Sequence, residues 1–175
     1  WLMLAALLVI GPRLGRFGPK GRPIEGHNLA LTTLGVFILW FGWFGFNAGA
    51  AGDDGTAGLI FINTILAPAA GILGYIVVEK LKDGKPTAVG AASGIVAGLV
   101  AITPACANLT PLWAIVLGGV AGAACCFAID LKYKLGYDDS LDVVGLHLVA
   151  GTLGTLYLGF FATTFDAEAG TWTDT

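Results

Sequence analysis

The sequence predicts an all-α, polytopic membrane helical bundle. Three observations carry that expectation. Of the 175 residues, 56% are hydrophobic and only 12% charged, about half the charged share of a soluble domain, and the mean hydropathy is +0.81. The apolar residues fall into five runs long enough to cross a hydrocarbon core of about 30 Å as helices. All nine Lys and Arg residues fall into alternate connections between those runs.

Taken in order, Trp1–Ile10 is apolar but too short to span, and it has neither a charged start nor a cleavage motif. It reads as the end of a truncated helix and not as a signal peptide. Full spans are expected at Asn28–Ala51, Ala57–Val78, Thr87–Thr103, Leu112–Ile129 and Val143–Ala162, so that 28–162 forms the membrane part of one partial domain, 1–175. If the helices alternate, connections 11–27, 79–86 and 130–142 share one side. They hold Arg13, Arg16, Lys20, Arg22, Lys80, Lys82, Lys85, Lys132 and Lys134. Basic residues accumulate on the cytoplasmic side, so those loops are expected to be cytoplasmic in a cell membrane. Residues 163–175 form an extracytoplasmic tail, and Asp53, Asp54, Asp166, Glu168 and Asp174 mark that opposite side.

Glycine accounts for 27 residues, more than twice the usual share of about 7%. No Gly-X-Y period accompanies it, which excludes collagen. Gly90, Gly94 and Gly98 recur every fourth residue, as do Gly118 and Gly122. Such stripes bring helix backbones into close approach, and packing is the favoured reading. Pro68 within the second span is expected to kink it. Net charge is −3, with no basic tract, so nucleic acid is excluded as a partner. Cys106, Cys125 and Cys126 lack zinc or disulfide spacing, and nothing in the sequence requires a metal or a cofactor.

His147 lies inside the last span, five residues after Asp142. Ionisable groups in a bilayer are costly and face bundle interiors or pathways. A neutral imidazole donates from one nitrogen and accepts at the other, so it can line a path for a small hydrogen-bonding solute. The alternative is a histidine satisfied by a neighbouring helix carbonyl. Asp142 is expected to cap the span that follows it, with attraction of a cation to a pore mouth as the second reading. Asp138 and Asp139 read as a solvated loop, and either His27 or Asn28 as the cap of the first full span. In Leu39–Asn47, Trp40 shares a helix face with Phe44, and Trp43 with Phe46. Their rings can hold a small cation through cation–π attraction or form a lipid-facing belt. Asn47 suits an interhelical hydrogen bond, and Thr103 an outer vestibule or a bond back to its own helix. No Gly-x-Ser-x-Gly, phosphate loop or His-Glu-x-x-His is present, so an enzyme is not expected.

Several long runs resemble one family. They are Gly42–Gly49 (GWFGFNAG), Gly98–Ala105 (GLVAITPA) and Leu135–His147 (LGYDDSLDVVGLH), together with Gly15-Arg16-Phe17-Gly18 and Gly26-His27-Asn28-Leu29. On these the chain is similar to the ammonium transporter (Amt/Mep/Rh) family. The resemblance implies two inverted half-repeats of membrane helices and a homotrimer with a hydrophobic pore in each subunit. This chain would be the second half-repeat, the end of helix five plus helices six to ten. It further implies that His147 is the second of twin pore histidines, that Phe46 is an outer-gate ring and that Trp43 is a pore-wall tryptophan. Thr103 would lie near the outer cation site, and Asp142 would support the start of the last helix. Ala50 stands where the family has a serine at that outer site. The implied activity is passage of ammonium/ammonia, with cation recruitment, deprotonation and movement past the histidine. The alternative is an ammonium-sensing membrane domain of a signalling protein. A PII-type regulator on the cytoplasmic face is a further implied partner. A water or urea pore is disfavoured, since no Asn-Pro-Ala motif occurs.

Overall fold

The structure, a computed structural model, describes residues 9–14, 27–166 and 168–174. Most of the first apolar run, and of the 11–27 connection with Arg16, Lys20 and Arg22, lies outside the described residues. Among the described residues, five helices are long and apolar enough to cross a membrane. They form as expected from the apolar runs, but the polar ends decide where each one starts and stops.

Helix α1 spans Leu29–Ala48, and Asn28 caps it by accepting the N–H of Leu31 at 3.0 Å. Helix α2 runs Asp54–Asp83, well beyond both expected ends. At its start the Asp53 carboxylate accepts from the Thr56 N–H at 2.8 Å and hydroxyl at 2.7 Å. At its finish Lys80 and Lys82 lie in the last turn, where cations suit the helix dipole, and Gly84 turns the chain with φ 81°. Thirty residues give about 45 Å of helix, so α2 projects past the hydrocarbon. It continues unbroken through Pro68.

Helix α3, Ala88–Ile102, starts at the Thr87 cap and passes into a 3-10 turn at Thr103–Ala105. Buried Glu79 of α2 accepts from the Thr87 N–H at 2.8 Å and hydroxyl at 2.7 Å, which ties the end of α2 to the start of α3. Helix α4 covers Pro111–Ile129, and the five-residue α5 covers Leu131–Leu135. The last span opens as a π-helical turn over Val143–Leu148 and continues as α6, Val149–Phe161. The expected tail is not featureless. Strands β1 (Thr163–Asp166) and β2 (Thr171–Asp174) pair antiparallel, with Phe165 opposite Trp172 and Gly170 at φ 63° in the turn.

Helix α2 is the hub, packed between α3 and α4. A Cβ at Gly94 of α3, or at Gly122 of α4, would run into the backbone of Gly71, and both Gly98 and Gly118 lie against the backbone at Ala67. The glycine stripes therefore let three backbones meet without side chains between them. Leu99, Ile102, Leu109 and Leu117 fill the fully buried centre. Helix α1 is peripheral, and Asn47 is its one buried residue.

Contacts between connections reveal the two ends of the bundle. Lys82, in the last turn of α2, pairs with Asp130, just after α4, at 2.5 Å, and Arg13 pairs with Asp138 at 2.7 Å. The described parts of the three basic connections thus lie at one end. At the other, Thr163 donates its N–H to the Asn108 carbonyl at 2.8 Å, and the hairpin shares a hollow with Asp53 and Asp54.

Candidate functional site

A groove of about 690 Å³ opens between α1, the α3 end and the last span. Trp43 and Phe46 reach it from α1, Val100, Thr103 and Pro104 from the end of α3, and Val143 and His147 from the π turn. Four of the six residues singled out in the sequence, His147, Phe46, Trp43 and Thr103, therefore share one surface, although 101 residues separate Phe46 from His147 in the chain. Asp142 and Asn47 do not line it. Apolar side chains make up most of the wall, so polar groups in it are few and positioned.

The hydroxyl of Thr103 donates to the Leu99 carbonyl at 2.8 Å and accepts the Trp43 indole N–H, also at 2.8 Å. A hydroxyl has one proton and two lone pairs. Thr103 is therefore left only as an acceptor, and Trp43, its N–H occupied, offers only ring surface. The Trp43 and Phe46 rings tilt against each other with centroids 5.6 Å apart, and Phe46 is 67% exposed. This end of the groove suits a hydrogen-bond donor or small cation. His147, half-buried, is the one described ionisable side chain along the groove.

The aromatic cluster of α1 divides between two neighbours. While Trp43 and Phe46 face the groove, Phe44 stacks on Phe61 of α2 at 4.4 Å, and Trp40 donates to the Thr64 carbonyl of α2 at 3.0 Å. Asn47 donates to the Thr64 hydroxyl at 3.1 Å.

The mounting of His147 corrects two expectations. Asp142 does not cap the last span, because its backbone is left-handed (φ 54°) and its carboxylate turns to Lys132 Nζ at 2.5 Å. The cap is Asp139. Its oxygens accept from the N–H groups of Val143 at 2.7 Å, Val144 at 2.7 Å and Gly145 at 3.3 Å. Nor is Asp138–Asp139 a solvated loop, since the two are 8% and 1% exposed. Asp138 receives a two-pronged contact from the Arg13 guanidinium, Nε at 2.8 Å and Nη2 at 2.7 Å. The loop folds back beneath the helix start, so the carboxylate three residues further away reaches the free N–H groups that the nearest one cannot. Of His27 and Asn28, the latter is the cap of α1.

Among the groove residues that escaped the sequence reading, two are polar, Thr152 and Thr155. They follow His147 by five and eight positions, off the i+3, i+4 face of a regular helix, and no local sequence signal marks them. Thr155 returns its hydroxyl proton to the Gly151 carbonyl at 2.9 Å, so it too presents lone pairs.

Five membrane-length helices among the described residues, three of which line a mostly apolar groove with one imidazole in its wall, define a multi-pass membrane protein. The chain belongs to the Ammonium Transporter Family, whose sequence pattern matches residues 1–174. An ammonium transporter of Mycobacterium bovis is 53% identical over 162 residues, 92% of this chain and 33% of that protein. The crystal structure of Saccharomyces cerevisiae Mep2 superposes with a TM-score of 0.80 at 41% identity, covering 91% of this chain and 36% of that one. A structure named Sensor Amt Protein superposes with a TM-score of 0.84 at 33% identity, covering 98% of this chain and 44% of its own. The chain thus spans about a third of the mycobacterial relative's length. None of these three is named as an enzyme.

Proposed function

We propose that this chain forms one wall of an ammonium/ammonia pathway, as the second half-repeat of a pore whose other wall is contributed by further membrane helices. The convergence of Trp43, Phe46, Thr103 and His147 on one groove, from three separate elements, carries the reading. A cation arriving at the Thr103 end meets two ring faces, worth about 0.5–2 kcal/mol, and an oxygen acceptor. Ammonium donates four N–H bonds and suits both; potassium donates none. Further along, the wall is apolar, and a charge at a bilayer centre costs about 2.5–3.5 kcal/mol or more. Passing one proton to bulk water at the outer mouth, before the apolar stretch, removes that cost. Ammonia can then hydrogen-bond to the His147 ring as acceptor or donor. Thr152 and Thr155 offer further oxygen acceptors along the same wall. Ala50, at the turn after α1, leaves the outer end one hydroxyl short of the family pattern, so recruitment there rests on the rings and Thr103.

The basic end of the bundle is then the cytoplasmic end. Assembly as a homotrimer and contact with a PII-type regulator belong to the same reading.

The test is methylammonium uptake, with potassium as the comparison ion, by liposomes holding the full-length polypeptide that contains this chain. His147→Ala is expected to cut uptake at least tenfold or to let potassium through. Unchanged uptake and unchanged selectivity would count decisively against the reading. A sensor is the second reading, favoured by the structure named as a sensor. A signalling domain fused to the same polypeptide, with methylammonium binding but no flux, would select it.

A further inference from the structure

Pro68 lies inside α2, where a proline brings no N–H to the carbonyl four residues before it. That carbonyl belongs to Thr64, which is wholly buried. The missing donor arrives from another helix, as the Trp40 indole N–H meets the Thr64 oxygen at 3.0 Å. One turn further along α1, the Trp43 N–H goes to Thr103 at 2.8 Å. One turn beyond that, Asn47 donates to the Thr64 hydroxyl at 3.1 Å, and this hydroxyl donates to the Ile60 carbonyl at 2.7 Å. Trp40, Trp43 and Asn47 stand at i, i+3 and i+7, on one face of the helix.

These three bonds matter because little else locates α1. In lipid, apolar side chains gain nothing by leaving the tails, so close packing and hydrogen bonds set helix positions. The glycines of α2, α3 and α4 supply close packing. Those of α1 do not, since among the described residues nothing lies within 4 Å of where a Cβ at Gly35, Gly42 or Gly45 would stand. None of the residues in its apolar window is buried.

We propose that Trp40 is a positioning residue. By occupying the carbonyl that Pro68 leaves without a donor, its indole N–H sets the rotation and depth of α1 and so holds Trp43 and Phe46 over the groove. This rests on the groove being the solute path. Trp40 itself does not line the groove, and Pro68 is useful here because it creates an acceptor that only a neighbouring helix can fill.

The experiment is a cycle of Trp40→Phe, Pro68→Ala and their double variant in the full-length polypeptide. Methylammonium uptake by liposomes and the thermal unfolding midpoint are measured for each, with Phe46→Ala as a reference for the groove. Trp40→Phe is expected to lower uptake three- to tenfold. Pro68→Ala returns a backbone N–H to Thr64, which takes that oxygen from Trp40, and should lower uptake by a similar factor. In the double variant the loss caused by Trp40→Phe should shrink to less than twofold. If Trp40→Phe cannot be folded, a benzothienylalanine at position 40, which replaces only the N–H by sulfur, takes its place. Full uptake by the N–H-deficient protein, or a double variant showing the whole product of both losses, overturns the proposal while Phe46→Ala still changes uptake. Should Phe46→Ala and His147→Ala both leave uptake and selectivity unchanged, the groove reading fails and takes this inference with it.

Discussion

Lys132 and Asp142 form an ion pair at 2.5 Å with side chains 8% and 24% exposed, so removing either partner strands a charge where water is scarce. Lys132→Ala and Asp142→Ala should each destabilise the protein. A thermal-unfolding cycle should show coupling of about 1–3 kcal/mol between them; simple additivity would mean that the pair contributes nothing. Asp139→Ala removes the cap from three N–H groups and should cost about 2 kcal/mol, with uptake falling because the π turn carries His147. Asp53 offers a pH-dependent case. The Thr56 hydroxyl, then the Thr56 N–H, holds its carboxylate below the ordinary range. Its stabilisation is therefore complete above the unfolded value of about 3.9 and fades as pH drops through the lower folded value. Acid titration of unfolding should lose part of its slope below about pH 4 in Asp53→Asn, which still caps but does not titrate. At this scale the sequence identifies the chemistry of each group but not its partner. His147 was legible as an ionisable group in an apolar run, whereas the choice of Asp139 over Asp142 depended on a loop folding back under the helix.

Helices were legible because their signal is local. Apolar length, small-residue spacing and polar ends all lie within the segment itself. The glycine stripes are a case in which sequence and structure agree, and the geometry adds which partner each one meets. A Cβ at Gly122 would fall on the Gly71 carbonyl. Gly122→Val should therefore prevent stable folding in detergent, while Gly35→Ala, in open space, should be neutral or stabilising by up to about 1 kcal/mol. Equal unfolding midpoints for the two variants would refute that assignment. Boundaries were less legible than existence. The hydropathy of α2 ends near Val78, yet its backbone continues to Asp83, because Lys80 and Lys82 suit the C-terminal turn and the left-handed Gly84 sets the stop beyond the apolar run. The π turn at Val143–Leu148 has no local signature in the sequence, and strands β1 and β2 are too short to stand out from a polar tail.

For the whole molecule, basic connections meeting at one end and the acidic hairpin end at the other give a directional expectation. An impermeant maleimide added to intact cells should label Glu168→Cys and spare Lys85→Cys. The native Cys106, Cys125 and Cys126 are free but buried, so background labelling should be low; the reverse pattern would invert the topology. Membrane class and the five spans among the described residues were legible in the sequence alone, because each depends on transfer free energies that add along the chain without reference to any partner. The tertiary structure alone decided which aromatic rings face the groove and which staple α1 to α2. It also decided that Thr152 and Thr155 join the wall, and that the carbonyl left open by Pro68 is met by Trp40. Those are choices among donors and acceptors far apart in sequence, and hydrogen bonds reward only groups that the packed backbones have already brought within about 3 Å.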